Sequence, residues 1–401
     1  MLKKLIVSSL ITTISILADG NVITPKEPQS DVKAHIQKEV DFINKSYKEY
    51  GFSVKDRKIE KESQSYSLVA SPIQIDKNSS VDSFGISGLS IKNDINYTAD
   101  GYNSTTYLTS LPKDMNITKD EQILLNKLIK DRVIEVYTNY NIKTKKFITK
   151  LKDINQTLPE MNVKVSGINI DGLFDIDRPE KQIVNLSISN LDFRATAKEF
   201  KGEYLTIKNL FIKTDSILNK NTYDIIYKNG TELLDFNLDG DSLKIEKANL
   251  DIKIGNIDAK SYEEISNLVQ ENPNIGFENP KFQALIGTVI SNGLFIEIND
   301  LSALNIIDNK KAVGGFKISL KVTLDSDPKM AKLISANPMM ALSALNLDAR
   351  VELSKENYST ILKTPQGAML AMLPPKKAKK NFVYTVKYSK NKLTVNGMPL
   401  N

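Results

Sequence analysis

The chain has 401 residues, 41% of them hydrophobic, with 54 basic and 48 acidic side chains and a net charge of +6. That length allows two or three domains or one large β-rich unit, and the near balance of dispersed charges argues against nucleic-acid binding, which gathers basic side chains on one face. Cysteine is absent and His35 is the single histidine, which excludes disulfides, thiol catalysis, cysteine–zinc sites, lipoprotein acylation and the usual serine–histidine–aspartate or multi-histidine constellations.

The chain opens MLKKLIVSSLITTISILADG: Lys3 and Lys4, an uncharged run from Leu5 to Ala18, then Asp19 between Ala18 and Gly20. At about 1.5 Å per residue this run falls short of a bilayer core of roughly 30 Å. A basic start, a short apolar middle and small residues at the end match a secretory signal cleaved near residues 18–20. An uncleaved inner-membrane anchor is the alternative; both readings send the body into the periplasm. Residues 21–29, with Pro25 and Pro28, read as a linker.

Residues 30–51 have the spacing of an amphipathic helix, with Ser30 as N-cap, Val32, Ile36, Val40, Ile43 and Tyr47 as its apolar stripe, and Gly51 as its stop. Residues 52–111 alternate as strands. Thr118 and Glu121 have capping-box spacing and open a helix whose stripe is Ile123, Leu124, Leu128, Val133 and Tyr137, continuing toward Leu151 as the longest helix. From Met161 to about Asp258 strands return. LTIKNLFIKTD (205–215) and LKIEKANLDIKIG (243–255) resemble each other, with apolar residues on one face and charged ones on the other. Short helices follow at 261–273, capped by Ser261, and at 279–293, opened by Pro280. After further strands, helices cover 327–345, interrupted at Pro338, and 355–373. A hairpin with its turn at Ser389–Lys392 closes the chain.

This pattern predicts an α+β fold: long, curved antiparallel β-sheets with helices packed on one face, half-solvated as antiparallel sheets allow. The expected divisions are 1–20, 21–29, an N-terminal part at 30–160 and a β-rich C-terminal domain at 161–401.

The ending KLTVNGMPL (Lys392–Leu400) and the strand–turn–helix segment NLDIKIGNIDAKSYEEISNLV (249–269) resemble YdgA-like envelope proteins of Gram-negative bacteria. The order of an export or anchor segment, a β-rich body and helices before the last strands is similar too. The resemblance implies an exported or inner-membrane-anchored protein and supplies no catalytic residues.

Of nine Asn-x-Ser/Thr tripeptides, four carry Asp two residues before the asparagine: Asn78, Asn96, Asn116 and Asn155. They resemble the extended acceptor of bacterial N-glycosylation, and the glycosylation machinery is the expected modifier. The rival reading is ordinary turn and cap chemistry. Asn44, Asn103, Asn185, Asn229 and Asn357 lack the acidic residue. Asp171, Asp175 and Asp177 in DGLFDID lack the glycine and distal glutamate of a calcium loop and read as a turn. Asp239 and Asp241 flank Gly240 in a hairpin turn. Met330, Met339, Met340, Met369 and Met372 read as core filling or an adaptable apolar surface. Lys376, Lys377, Lys379 and Lys380 read as a solvated loop, or as a contact for acidic lipid or a polyanion.

No phosphate loop, nucleophile elbow or dinucleotide fingerprint is present, so no cofactor, metal or catalytic residue is assigned. The expected function is a non-enzymatic envelope scaffold or binding protein. Its apolar groove would take an acyl chain or an apolar segment of another envelope protein. The alternative is a hydrolase of cell-wall or surface glycan using paired carboxylates, a chemistry that needs neither histidine nor cysteine.

Overall fold

The computed structural model describes residues 28–46, 51–74, 80–81, 86–112, 119–158, 160–174, 182–272, 275–276, 278–325, 341–365, 367 and 372–400. Residues 1–20, Asn78, Asn116, Thr118, Asp175, Asp177, the break at Pro338, and Met330, Met339, Met340 and Met369 lie outside the described residues. The fold is α+β and strand-dominated, and the strand pairs described below are antiparallel. The chain divides into two compact units: residues 1–155 with 165–186, and residues 156–164 with 187–401.

The first unit begins with α1 (Pro28–Ser46), β1 (Phe52–Ile59), β2 (Ser63–Ala70) and the two-residue strands β3 (Ile73–Gln74) and β4 (Ser80–Val81). There follow β5 (Ser90–Tyr97), β6 (Gly101–Ser110), α2 (Lys119–Lys130), β7 (Glu135–Asn141) and β8 (Lys146–Leu151). Next come β9 (Ile154–Thr157), β10 (Met161–Ser166), β11 (Asn169–Phe174) and β12 (Gln182–Ala195); of these, residues 156–157 of β9, 161–164 of β10 and 187–195 of β12 belong to the second unit. The sheet order β1-β2-β5-β6-β7-β8-β11 is a meander.

Val32, Ile36, Val40 and Ile43 of the predicted α1 stripe are buried, and Tyr47 lies outside the described residues. Val32, Ile36 and Val40 pack on Tyr66, Ile95, Tyr102, Tyr140, Phe147, Ile170 and Phe174. The helix starts at Pro28, two residues before Ser30, because proline suits the first helical turn, where its missing N–H costs nothing.

The long helix toward Leu151 is a correction. Helix α2 stops at Lys130, Arg132 takes a left-handed φ of 48°, and residues 135–151 form the hairpin β7–β8. Val136, Thr138 and Tyr140 favour a pleated strand, and Asn141 Oδ1 caps the turn by accepting from Thr144 N at 2.8 Å. The expected stripe holds only in part: Leu124 and Leu128 are half-buried. Ile123 and Tyr137 are exposed, and Leu124, Leu125, Leu128 and Ile129 form the half-buried side of α2. DGLFDID begins as strand β11 rather than as a turn; Asp171 accepts from Asn169 and Asn185 side chains, both at 3.0 Å.

The second unit continues with β13 (Tyr204–Asn219), β14 (Thr222–Leu238), β15 (Asp241–Asp258), α3 (Ala259–Glu271) and α4 (Pro280–Ser291). Then come β16 (Phe295–Ala303), β17 (Asn305–Asp308), β18 (Lys311–Ala312), β19 (Phe316–Leu324), α5 (Ala341–Ala344), β20 (Leu345–Leu353) and α6 (Lys355–Ile361). Last are β21 (Lys376–Ala378), β22 (Asn381–Ser389), β23 (Lys392–Val395) and β24 (Met398–Leu400). The ladder runs β13-β14-β15-β16-β19-β20-β22-β23-β24, with β17 also on β15 and β21 also on β22.

The hydrophobic alternation changes phase midway along the long strands. In β13 it passes from Leu205 and Ile207 to Leu210 and Ile212; in β15 it passes from Leu243 and Ile245 to Leu250, Ile252 and Ile254. Asn209 and Lys247, at the change, are left-handed at 49° and 51°. A left-handed residue re-aims the side chains after it, as in a β-bulge, and so absorbs the phase change. Between them on β14, Gly230 lies against the Phe211 ring; a Cβ there would come within 2.6 Å of it.

The helices of this unit share one sheet face. Helices α3 and α4 cover Tyr223, Ile225, Ile254 and Ile257, and α6 covers Leu353, Val351, Tyr384 and Val386. The row Ile225, Ile254, Ile296, Val322, Leu347 joins the two clusters across paired strands. The other face carries cross-strand ion pairs, among them Lys228–Asp251, Lys253–Asp224 and Lys321–Glu297.

Four further expectations change. The N-cap of α3 is Asp258, which accepts from Ser261 N at 2.8 Å, not Ser261 itself. The lysine-rich segment is strand β21 and a tight turn rather than a loop, since Ala378 pairs with Asn381. The closing hairpin is a three-stranded meander. Asn396 and Gly397 take φ of 53° and 85° and return the chain as β24, which is what Asn-Gly favours. Met372 fills no core; it is 84% exposed.

Candidate functional site

The first part of the second unit's sheet, on β13, β14 and β15, presents two chemically opposite faces. Register pairs Thr206 with Asp235 and Asp235 with Lys244; the alternate residues pair as Leu205–Phe236–Leu243 and Ile207–Leu234–Ile245. Successive side chains on a strand point to opposite faces, so one face is polar and the other aliphatic.

On the polar face, Asp192, Arg194, Tyr204, Thr206 and Asp235 line a trough of about 460 Å³. Thr206 Oγ1 donates to Asp192 Oδ1 at 2.9 Å, and Arg194 Nε donates to Asp192 Oδ2 at 3.1 Å. Tyr204 donates to Asp235 Oδ1 at 2.9 Å; that bond, followed by burial, raises the phenol's pKa above its ordinary value. A paired-carboxylate hydrolase holds one carboxyl in apolar surroundings so that it keeps its proton. Asp192 and Asp235 both stand among hydrogen-bond donors instead, which suits recognition of a polar surface better than acid catalysis.

On the aliphatic face, Leu205, Ile207, Leu234, Phe236, Leu243 and Ile245 are all half-buried. None of them belongs to the three buried clusters. The strip offers no polar side chain, so a ligand there needs no hydrogen-bonding partner. Sequence reading anticipated the apolar alternation of β13 and β15 but not the polar trough behind it, whose residues converge from three strands.

Of the four acceptor asparagines, Asn96 and Asn155 are among the described residues. Asn96 and Asn155 are exposed, on β5 and β9, so neither lies in a loop and Asn155 does not follow a helix. Their acidic neighbours have structural partners. Asp94 accepts from Tyr107 Oη at 2.8 Å and pairs with Lys92 at 3.1 Å. Asp153 accepts from Gly167 N at 3.0 Å.

One polar cluster escaped the sequence reading. His35 is buried in the first unit and stacks on Tyr140 with ring centroids 4.8 Å apart. Its Nε2 lies 3.5 Å from Glu39 Oε1, one helical turn on, and Tyr102 donates to that same oxygen at 2.7 Å. The i,i+4 spacing of His35 and Glu39 was the available signal.

Among the described residues, no cluster of three histidine, cysteine or acidic side chains is placed to hold a metal ion, and no helix is long and apolar enough to cross a membrane. No protein-family model, curated protein or solved structure matches this chain significantly.

Proposed function

We propose that this chain is an exported, non-enzymatic envelope protein whose second unit holds an acyl chain or a similar extended apolar ligand. The observation that carries this reading is the apolar strip of Leu205, Ile207, Leu234, Phe236, Leu243 and Ile245, six half-buried side chains on three paired strands that belong to none of the helix-covered clusters around Tyr223 and Tyr384. Burying methylenes there gains up to about 0.8 kcal/mol each, and an open strip buries only one side of the chain. Binding is therefore exchangeable rather than tight.

Native mass spectrometry of protein purified without detergent from the envelope is expected to find a lipid-sized adduct. Ile245→Asp is expected to weaken it at least about tenfold, because the carboxylate must be desolvated under the ligand. Lys208→Asp, at an exposed position on the polar face, is expected to leave it unchanged. Persistently ligand-free spectra, or equal effects of the two substitutions, would remove the apolar strip from the account.

Export rests on Lys3, Lys4 and the run from Leu5 to Ala18, and is supported by the likeness of Lys392–Leu400 and residues 249–269 to YdgA-like proteins. N-glycosylation at one or more of Asn78, Asn96, Asn116 and Asn155 belongs to the same reading. At Asn96 and Asn155 the acceptor tripeptide overlaps a strand, so transfer precedes pairing or opens it. Intact mass of native material is expected to lack the first 18–20 residues and to carry a glycan increment. A mass equal to the full unmodified chain would remove both cleavage and glycan.

A further inference from the structure

Although basic residues occur throughout the chain, its net positive charge comes from the segment after Glu356. After Glu356 the sequence contains eight lysines and neither Asp nor Glu. Since the whole chain carries +6, the first 356 residues together carry −2. The structure places six of these lysines at one sheet edge. Lys376 and Lys377 are on β21, with Lys379 and Lys380 in its turn; Lys390 is in the next turn and Lys392 on β23. Strands β21 and β23 pair with two successive stretches of the same strand, β22, whose nine residues extend about 30 Å.

These six lysines differ from those in the middle of the sheet. All six are exposed, and none has an acidic partner within ion-pair distance among the described residues. On the interior strands, Lys228, Lys253, Lys317 and Lys321 each reach a carboxylate. The same segment also exposes apolar side chains: Met372 at 84%, Met398 at 39% and Leu400 at 38%. Lysines on an edge strand guard against edge-to-edge pairing, which accounts for Lys376 and Lys377 but not for Lys392, since β23 lies between β22 and β24. It does not account for lysines concentrated in the turns, nor for exposed methionine and leucine beside them.

We infer that this edge docks on the surface of an anionic phospholipid bilayer. Lysines within a Debye length of such a surface are attracted to it, and Met372, Met398 and Leu400 can enter the headgroup boundary, as apolar side chains of interfacial segments do. Nucleic acid would satisfy the charges and leave those side chains without a role. The docking surface stands independently of any ligand on the aliphatic strip, since β21, β22 and β23 are separate strands from β13, β14 and β15.

The test is flotation of the full chain with phosphatidylcholine vesicles, with and without phosphatidylglycerol. The wild type is expected to prefer the anionic vesicles and to lose that preference as salt rises to about 0.5 M. The quadruple variant K376Q/K377Q/K379Q/K380Q is expected to bind them about ten- to a hundredfold more weakly, with circular dichroism unchanged. Met372→Ser is expected to weaken binding on its own at high salt. Residues 1–20 are common to all variants, so their contribution cancels. Wild-type binding by the quadruple variant would overturn the inference. So would equal binding to neutral vesicles, or displacement by DNA at matched phosphate concentration.

Discussion

Ile36→Ala is expected to cost about 3–4 kcal/mol of the first unit's stability, and Ile36→Asp to unfold that unit. Ile36 is completely buried, at 0% exposure, in the middle of helix α1, which packs into that unit's core cluster. Val32 and Val40 flank it one turn away on either side, and the rings of Tyr66, Tyr102 and Tyr140 surround the stripe. Truncation leaves a cavity that a paired meander cannot close without breaking register. With domain stabilities of about 5–15 kcal/mol, the alanine variant keeps a folded population and the aspartate variant does not. Urea unfolding followed by circular dichroism checks this. The transition assigned to the first unit is expected to move, while the second unit's, built on Tyr223 and Tyr384, stays in place. Ile123→Ala on α2, exposed at 61%, is the control and is expected to stay within about 0.5 kcal/mol. Equal shifts for Ile36→Ala and Ile123→Ala would mean that α1 contributes nothing to the core.

The stripe of α1 could be read from the sequence because it is strictly local: Val32, Ile36, Val40 and Ile43 recur at helical spacing with charged residues between them. The strands of the second unit were legible for the same reason, since alternation marks which side chains share a face. What failed was local ambiguity. Leu124 and Leu128 begin a helical period, and nothing before Arg132 shows that it will stop. The strand residues beyond are interrupted by Lys143 and Lys145, which also suit a helix. The break in strict alternation at Asn209 and Lys247 is accounted for by their left-handed backbone, which spacing alone does not reveal. The polar trough was beyond reach, because Asp192, Thr206 and Asp235 are brought together by pairing, not spacing. The basic edge was legible in part: Lys376, Lys377, Lys379 and Lys380 are adjacent in sequence and carry the acidic-lipid reading, while Lys390 and Lys392 join them only through pairing on β22.

Above about pH 10 the protein is expected to unfold cooperatively, with its buried tyrosines titrating as it opens. In the first unit, burial raises the pKa of Tyr66, and the charge of Glu39 adds to it; the hydrogen bond from Asn93 and the charge of Arg57 oppose the rise. Burial raises Tyr102 well above the ordinary value as well, reinforced by Glu39 through both its charge and its hydrogen bond. In the second unit, burial and then Tyr358 raise Tyr384, whose hydroxyl donates to Leu373 O at 3.2 Å. The sign follows from linkage. Each folded pKa lies above the unfolded one, so the neutral phenol's stabilisation is complete below about pH 10 and drains away as pH climbs toward the folded value. Ionising Tyr102 in place would set a phenolate against the Glu39 carboxylate, 2.7 Å away with burial all around, so opening the core becomes the cheaper course. Absorbance at the tyrosinate band and far-ultraviolet circular dichroism are expected to change together. Glu39→Gln keeps an acceptor for Tyr102 but removes the charge, and is expected to move the first unit's transition to higher pH. Tyrosines that all titrate near pH 10 while the circular dichroism holds would show that these phenols are not locked under α1 and α6.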